Sequence, residues 1–416
     1  MGHTIPDTLK MLIDNGVVIP SPLSVEIGGE VDPGRIARGV TIYPGCRIYG
    51  KKTIVMSGTK LGAEAPVTIQ DCQIGPDVEL KGGFFKKSVF LAKSNMAYGA
   101  HVRDACILEE EANGAHTVGL KQTILLPFVT LGSLINFCDC MMSGGTSRKD
   151  HSEVGSSYIH FNYTPNQDKA TPSLIGDVSR GVMLNQRPIF LGGQGGLVGP
   201  AKIGFGTVIA AGTVFRGSLY EDAKIVYGQE PSCAVRDFKP GIYWEIDTRV
   251  KNNIIYIANL ISLKAWYRHV RKLFSGPDPL EQALFEGAVE KLDMALDERI
   301  KRFKALAEKM PESISQYTSV MKDAASSSLI SKKQGLADNW KQAESAFDSL
   351  RSFSGDDNLR ETFLSMIVRE MEERGTPYIE TIQGLKEDTR TRGTAWLQGI
   401  VDEVNSRIME NLPMFA

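Results

Sequence analysis

A repeat of six residues governs the stretch from Leu191 to Phe215. Apolar residues occupy every sixth position, and a small or β-branched residue follows four positions after each of the first four. The apolar residues are Leu191, Leu197, Ile203, Ile209 and Phe215, and the small or β-branched residues are Gly195, Ala201, Thr207 and Thr213. Neither a helix nor a simple alternating strand has this period. The repeat predicts a parallel β-helix, in which three short strands form each triangular coil, the apolar residue points inward and the small residue permits the corner.

The repeat also sets the predicted domain organisation. Residues 1–20 are expected to form a lead-in with a short helix from Thr8 to Asn15, ended by Gly16. Residues 21–242 are expected to form the β-helix, with an interruption from about Thr117 to Arg187. Loops that carry chemistry on a rigid scaffold are a common arrangement, so this interruption is the predicted site region.

After about Gly241, glycine becomes scarce and Ala, Leu, Lys, Glu and Arg dominate at helical spacing. Residues 243–416 are therefore predicted to form an all-α domain. The predicted helices are 245–274, 278–310, 312–324, 331–354, 357–374, 377–389 and 392–411. The basic residues Arg268, His269, Arg271 and Lys272 are interpreted as favourable charges at a helix C-terminus. The predicted fold class is mainly β plus α, a hexapeptide-repeat solenoid followed by helices.

Composition limits the classes of partner. The net charge of −2 provides no global attraction for nucleic acid or an anionic membrane, so neither partner is expected. The N-terminus shows no secretory pattern, and the most apolar run is too short to span a bilayer. The six cysteines form no CxxC pair and are interpreted as reduced packing thiols. We expect a cytoplasmic protein.

Two segments of the chain carry a family likeness, namely VGSSYIHFNYTPNQDKATPSLIGD in the interrupted region and IFLGGQGGLVGPAKIGFGTVIAAGTVF in the coils after it. They resemble the substrate segment and the later coils of the left-handed β-helix (hexapeptide-repeat) transferases. The closest likeness is to the acetyltransferase half of the bifunctional N-acetylglucosamine-1-phosphate uridyltransferase/glucosamine-1-phosphate acetyltransferases. The likeness covers about residues 115–240 well, is vague over 20–115 and is absent after 245. It implies left-handed coils, which periodicity alone does not establish.

The resemblance implies a homotrimer that binds acetyl-CoA as cosubstrate along the seam between prisms and transfers its acetyl group to an amino sugar or sugar phosphate. A histidine acts in the family as general base. Carried over, the base is His151, and Asn162, Tyr163 and Lys169 bind substrate. The implied coenzyme residues are Gly193, Gly195 and Ala211.

This sequence departs from the family at several positions. Met141 and Met142 replace a lysine pair, and Gln229 stands where an arginine meets coenzyme A. The chain also lacks a glycine-rich GxGTRM-like loop, so uridyl transfer by this chain is not expected.

The chemistry of the residues leaves alternatives open. A base with a pKa near neutrality suits attack of an amine on a thioester, and His151 and His160 are both candidates. His160 is alternatively an ordinary coil residue, and Asn162 a buried asparagine that closes backbone bonds. Several cations could meet phosphates or be solvated charges, namely Arg148, Lys149, Lys169, Arg180 and Arg187. No tight histidine pair predicts zinc, so no metal is expected.

The sequence is therefore consistent with two functions. The first is an acyltransferase that moves an acetyl group from acetyl-CoA to an amino sugar or sugar phosphate. The second is a non-catalytic protein that binds a nucleotide sugar or serves as a scaffold, related to the nucleotidyltransferases. Met141-Met142 and Gln229 favour the second function, whereas Asn162-Tyr163 and His151 favour the first. Fold alone does not decide between them.

Overall fold

The computed structural model describes residues 5–228, 235 and 238–416 of the chain. A short helix, α1 (Asp7–Asp14), precedes a parallel β-solenoid whose strands extend from Glu26 to Val226. Gly16 follows α1 with a φ of +89°, a left-handed conformation that glycine adopts without strain and that ends the helix as predicted.

The solenoid has three faces, which we name A, B and C, and strands within a face pair in parallel with the coils before and after. Face A contains ten strands, namely Thr41–Ile42, Lys60–Leu61, Glu79–Leu80, Asn95–Met96, Asn113–Gly114, Thr130–Leu131, Glu153–Val154, Phe190–Leu191, Val208–Ile209 and Ile225–Val226.

Two long strands, Gly119–Leu125 and Asn136–Met142, pass around a corner and contribute to both of the other faces. Face B also contains Glu26–Ile27, Arg47–Tyr49, Val67–Gln70, Gly83–Lys86, Ala100–Arg103, Ile159–Phe161, Gly196–Val198 and Val214–Arg216. Face C also contains Ile54–Val55, Gln73–Ile74, Val89–Phe90, Ile107–Leu108, Ser173–Ile175 and Lys202–Ile203.

The interior of the prism confirms the six-residue repeat. Leu191, Leu197, Ile203 and Ile209 are fully buried, whereas Phe215, on one of the last coils, is only partly buried. The small residues of the repeat are buried at corners, where a larger side chain would meet the adjacent coil. The five cysteines that the structure describes are unpaired, and four of them are buried, which agrees with packing thiols.

Two insertions interrupt the coils in the predicted region. An antiparallel hairpin, Gly145–Ser147 with Asp150–His151, lies at the corner between faces C and A. A short helix, α2 (Val178–Gly181), follows the strand Ser173–Ile175, and Asp177 caps it by accepting a hydrogen bond from the Arg180 amide.

The helical region begins close to the predicted position. Its α-helices are α3 (Ile246–His269), α4 (Pro279–Glu308), α5 (Met310–Met321), α6 (Ser327–Leu350), α7 (Asp357–Arg374), α8 (Tyr378–Gly384) and α9 (Glu387–Asn411). The predicted breaks near residues 276, 311, 355 and 375 all fall between these helices or in the first turn of one. Of the helices that the structure describes, none is both long and apolar enough to cross a membrane.

The helices cover face C. Its outward residues Val89, Ile107, Ile124, Met141 and Leu174 pack into one core with α3 and α4. The next residue of each strand points inward and packs inside the prism instead, as Phe90, Leu108, Leu125, Met142 and Ile175 do. Face C is therefore apolar on both sides, because both sides are buried.

Candidate functional site

The predicted substrate residues lie on a loop, residues 162–172, at the corner between faces B and C. The Asn162 side-chain amide donates a 2.5 Å hydrogen bond to Asp139, which lies one coil earlier. The Asn162 carbonyl accepts a 2.7 Å bond from the Thr171 hydroxyl. Because the amide nitrogen is engaged, the Asn162 side-chain oxygen is the atom that can accept a bond from a ligand.

Tyr163 and Lys169 lie side by side on the outer surface of this loop. The Tyr163 side chain is 57% exposed, and the Lys169 ammonium lies 5.9 Å from the centre of its ring. An exposed cation–π contact of this kind contributes about 0.5–1 kcal/mol. The corner thus presents an amide oxygen, an aromatic ring and a positive charge, and the structure brings together Asn162, Tyr163 and Lys169 as predicted.

Arg299 of α4, in the helical region, contacts the same corner on its buried side. Its guanidinium forms a buried ion pair with Asp139, the residue that accepts the Asn162 bond. A second nitrogen of Arg299 donates a 3.2 Å bond to the Lys169 carbonyl. Arg299 therefore contacts, directly or through Asp139, two of the predicted substrate residues.

Further contacts hold the middle of the loop. The buried carboxylate of Asp168 accepts a 3.0 Å bond from the Tyr243 hydroxyl and pairs with Arg249 at 3.2 Å. The Lys309 ammonium donates a 2.7 Å bond to the Asn166 carbonyl. The conformation of the predicted substrate loop thus depends on residues that lie outside the region of family likeness.

His160 is buried inside the prism. Its Nδ1 lies 2.5 Å from the Cys138 carbonyl and its Nε2 lies 2.7 Å from the Ser173 hydroxyl. A neutral ring fits both contacts when Nδ1–H donates and Nε2 accepts. Burial lowers the pKa of His160, in keeping with a neutral ring. Neither nitrogen remains to receive a substrate proton, so the geometry favours the interior role over the catalytic one.

His151 lies in the hairpin at the corner between faces C and A and is partly exposed. Its Nδ1 lies 3.0 Å from the Arg148 carbonyl, an acceptor that places the proton on Nδ1. Its Nε2 lies 3.9 Å from a Glu153 carboxylate oxygen. This tautomer leaves a lone pair on Nε2, which is what a general base requires.

The other predicted cations are separated from the predicted substrate loop. The Arg148 guanidinium donates to the Glu111 and Phe128 carbonyls and to the Thr130 hydroxyl at 2.8–3.3 Å. Lys149 is exposed at the tip of the hairpin. Arg148 is thus a structural residue of the C–A corner, while Lys149 remains available to a ligand.

Arg180 and Arg187 also lie apart from Asn162. The Arg180 guanidinium pairs with Asp177 at 2.6 Å and with Asp222 at 2.5 Å. Arg187 is exposed. Arg180 therefore joins two acidic residues of the chain, and its positive charge is compensated there.

The chain does not bring His151 and Asn162 together. They lie at opposite edges of face C, separated by the strand Asn136–Met142. Asn162 is bonded to Asp139 in this strand, and the hairpin that carries His151 begins just after Ser143. The four residue steps from Asp139 to Ser143 alone span roughly 13 Å. The helices that cover face C lie over this gap. One copy of the chain therefore does not hold both groups on one substrate.

The predicted coenzyme residues lie at the third corner, between faces A and B. Gly193 is partly exposed, Gly195 is buried and Ala211 is exposed. A side chain at Gly193 would come within 2.8 Å of the Ser156 carbonyl oxygen, and one at Gly195 within 2.7 Å of the Thr213 carbonyl oxygen. These glycines are required for close stacking of the coils, whether or not a coenzyme lies against them.

The departures from the family pattern have a structural counterpart. Met141 points outward under the helices and Met142 points into the prism, so a lysine at either position would be buried. Gln229 lies outside the described residues. Within the described ranges, no group of three or more His, Cys, Asp or Glu side chains is placed to hold a metal ion.

Two residues of this corner were missed in the sequence interpretation. Asp139 is a single carboxylate between Cys138 and Cys140 in an otherwise apolar strand, and this isolation was a usable signal. Arg299 follows the apolar residue Leu296 by three positions, which placed it beside the buried stripe of a predicted helix. Nothing in the sequence linked Asp139 to Arg299, because the two are 160 positions apart.

Substitution of Arg299 tests how much its ion pair with Asp139 contributes to the free energy of unfolding. In Arg299→Met the Asp139 charge remains buried without its partner, so we expect the free energy of unfolding to fall by about 3–5 kcal/mol. The matched variant Arg302→Met loses only a partly exposed pair with Glu298 on the same helix and should cost less than about 1 kcal/mol. Urea unfolding measures both. Equal losses in the two variants, or no gain on adding Asp139→Asn to Arg299→Met, would contradict this assignment.

The interior role of His160 makes a prediction about pH. Because burial lowers its folded pKa, the unfolded chain binds a proton below about pH 6.5 that the folded chain does not. Stability due to this residue is present above that pH and is lost as pH falls, by at most about 1.36 kcal/mol per pH unit. Urea unfolding between about pH 7.5 and 5 should give a shallower pH dependence for His160→Asn than for the original chain. Identical slopes would show that His160 titrates equally in both states.

Comparison with known proteins agrees with this architecture. The bifunctional protein GlmU of Thermotoga maritima is 28% identical over 207 residues, which cover 50% of this chain and 41% of that protein. The protein of the same name from Thermoanaerobacter pseudethanolicus is 28% identical over 222 residues, covering 51% of this chain and 41% of that protein. No family model matches the chain.

The chain thus spans about two fifths of the length of the curated relatives it matches. The resemblance predicted from the motifs is confirmed by these relatives, at an identity that leaves individual residues free to differ. The protein is a hexapeptide-repeat β-solenoid, similar over half of its length to part of the bifunctional protein GlmU.

Proposed function

We propose that this chain is an acyltransferase that moves an acetyl group from acetyl-CoA to the amine of an amino sugar or sugar phosphate. The observation that carries the proposal is the B–C corner, where Asn162, the exposed Tyr163 ring and the Lys169 ammonium lie together on one loop. An amide oxygen suits an amine or hydroxyl of the acceptor, and an ammonium suits its phosphate.

The proposed active unit is a trimer, because one chain supplies only half of a site. The helices cover face C, so faces A and B are the ones that can meet other copies. Both carry exposed apolar side chains near the site, namely Phe190 and Ile225 on face A and Ile159, Phe161 and Val214 on face B. Closed rings of identical subunits pair two different faces in this way.

The same packing would complete the site. When face A of one copy lies against face B of the next around a threefold axis, the A–B corners point to the axis. The outer edge of each seam then combines the C–A corner of one copy, with His151, and the B–C corner of the next, with Asn162 and Lys169. The two groups that one chain separates would thus meet across a subunit boundary.

The reaction needs a base and a positioned acceptor. In the proposed seam, the lone pair on His151 Nε2 receives the proton of the acceptor nitrogen as this nitrogen attacks the acetyl carbonyl carbon. The carbon–sulfur bond of the thioester then breaks, and the proton passes to the departing thiolate. The Nδ1–H contact with the Arg148 carbonyl keeps His151 in the tautomer that this step requires.

Acetyl-CoA would lie in the same seam. Face B connects the Asn162 corner to the corner of Gly193, Gly195 and Ala211, a distance of about three strand residues or roughly 10 Å. An extended coenzyme arm across this face would pass both corners. Backbone N–H groups at the glycine corner are the available donors there, because Gly193 and Gly195 carry no side chain.

A second function is favoured by specific observations. The positions of the family lysine pair are buried methionines, and the helices bury Met141 beneath α3 and α4. A chain that has lost these cations could retain a nucleotide sugar or serve as a scaffold without catalysis. This alternative requires sugar-nucleotide binding without acetyl-CoA binding.

Isothermal titration separates the two functions. We expect acetyl-CoA to bind the purified chain, with glucosamine-1-phosphate binding in its presence, and Asn162→Ala to weaken the sugar phosphate at least about tenfold. Asn358→Ala, which truncates an exposed asparagine in α7, is the matched control and should not change either affinity. Binding of UDP-N-acetylglucosamine with none of acetyl-CoA would support the scaffold function and reject the transferase.

Complementation tests the shared site. His151→Ala and Asn162→Ala should each abolish acetyl transfer, measured as release of coenzyme A thiol. When the two variants are unfolded together and refolded as mixed trimers, about a quarter of the seams combine an intact His151 with an intact Asn162. Activity should return to about that fraction. Failure to recover, from mixed trimers verified by native mass spectrometry, would mean that both groups act within one chain.

A further inference from the structure

A cavity lies far from the predicted substrate loop, where three parts of the chain meet. It has a volume of about 560 Å³ and lies between the C–A corner of the early coils, the connection from α3 to α4, and the connection from α7 to α8. Its walls are mainly apolar and include Leu91, Leu273, Phe274, Leu284 and Phe285. Small-molecule sites are typically of this size, this apolar and situated at such junctions.

A buried charge cluster forms one wall of this cavity. The Arg271 guanidinium pairs with Glu109 at 2.7 Å and with Glu110 at 2.5 Å, and it stacks on the Tyr378 ring at 3.7 Å. Arg271 is only 7% exposed, so this charge just after the C-terminus of α3 is a buried member of the cluster. Burial raises the pKa of the Glu109 carboxyl.

Two polar atoms of the cavity residues have no bonding partner. The Nε–H of Arg271 and the hydroxyl of Ser275 are both buried, and neither forms a hydrogen bond with the described part of the chain. A buried donor without an acceptor costs about 1–3 kcal/mol, so such atoms in a cavity wall indicate where the polar group of a ligand belongs.

These features select the chemical class of the ligand. An oxygen that accepts hydrogen bonds would satisfy both the Arg271 Nε–H and the Ser275 hydroxyl. An ammonium carries only donors, so it cannot accept a hydrogen bond from the Arg271 Nε–H, although the Ser275 hydroxyl could accept one from it. A carboxylate would approach Glu110 in the wall and Glu281 at the rim, which repel it. The body of the ligand must be apolar, because the walls are.

We propose that this cavity binds a neutral amphiphile with one alkyl or acyl chain and a carbonyl or hydroxyl oxygen, the oxygen lying between Arg271 and Ser275. The proposal is independent of the acetyl transfer proposed above, since the cavity shares no residue with the loop at residues 162–172. The antiparallel helices α3 and α4 extend from one region to the other, because Arg249 contacts the loop and Arg271 lines the cavity.

Three ligands with the same chain and different head groups test the class. Isothermal titration of the full chain, below the micelle concentration, would compare monodecanoylglycerol, decanoate and decylamine. We expect the neutral glyceride to bind at least about tenfold more tightly than either charged compound. Binding of none of the three, a preference for a charged compound, or equal affinity for all three would overturn the proposal.

Variants locate the site. Leu284→Trp fills the cavity from α4 and Thr376→Trp fills it from the rim, and each should weaken glyceride binding at least about tenfold. Ser275→Ala should weaken it by a smaller factor, because one bond to the ligand is lost. Leu359→Trp is the matched control on the exposed surface of α7 and should leave binding unchanged. Circular dichroism verifies folding, and Thr376→Trp keeps the test decisive if Leu284→Trp does not fold. Unchanged binding in a folded filling variant would overturn the proposal.

Discussion

The burial of face C determines much of the rest of this structure. A β-solenoid needs apolar residues only inside its prism, yet the strands of this face carry them on both sides. The outer set includes Val89, Ile107, Ile124 and Leu174, which together would form an exposed apolar patch if the helices were absent. Burial of such side chains provides about 1.5–3 kcal/mol each, which makes the packing of α3 and α4 on this face the main source of cohesion between the two regions.

Two buried ion pairs specify where the helices lie on that face. Arg271 follows α3 and pairs with Glu109 and Glu110, whereas Arg299 in α4 pairs with Asp139. Apolar packing tolerates sliding, but a buried charge without its partner costs several kcal/mol. The pairs therefore act as fixed points between helices and coils. One of them lies beside the predicted substrate loop and the other beside the apolar cavity.

The arrangement of corners keeps the predicted site residues apart within one chain. A triangular coil places residues on three separate edges, and the predicted residues are distributed over all of them. His151 lies at the C–A corner, Asn162 and Lys169 at the B–C corner, and Ala211 at the A–B corner. Prisms that associate through two faces bring edges of different copies together. Helices on the third face leave faces A and B uncovered for the association that we propose.

The sequence by itself determined the repeat, the class of fold and the approximate bounds of the helices, because period and glycine spacing are local properties of the chain. The apolar steps at Leu191, Leu197 and Ile203 are buried as predicted, and the helix breaks lie where glycine and proline occur. The likeness of Asn162-Tyr163 to a family motif also placed three candidate residues at one corner, since they are close in sequence.

Only the tertiary structure decided the relations between distant residues. In the structure, His160 is buried with both ring nitrogens hydrogen-bonded, and His151 lies at a different corner from Asn162. Asp139 forms an ion pair with Arg299, which is 160 positions away in the sequence. The tertiary structure also placed Arg271, which the sequence suggested only as a favourable charge at a helix C-terminus, in the wall of a cavity. The physical reason is the same in each case. A six-residue period specifies which side chains point inward, but which outward side chains meet depends on how the helices pack on the coils.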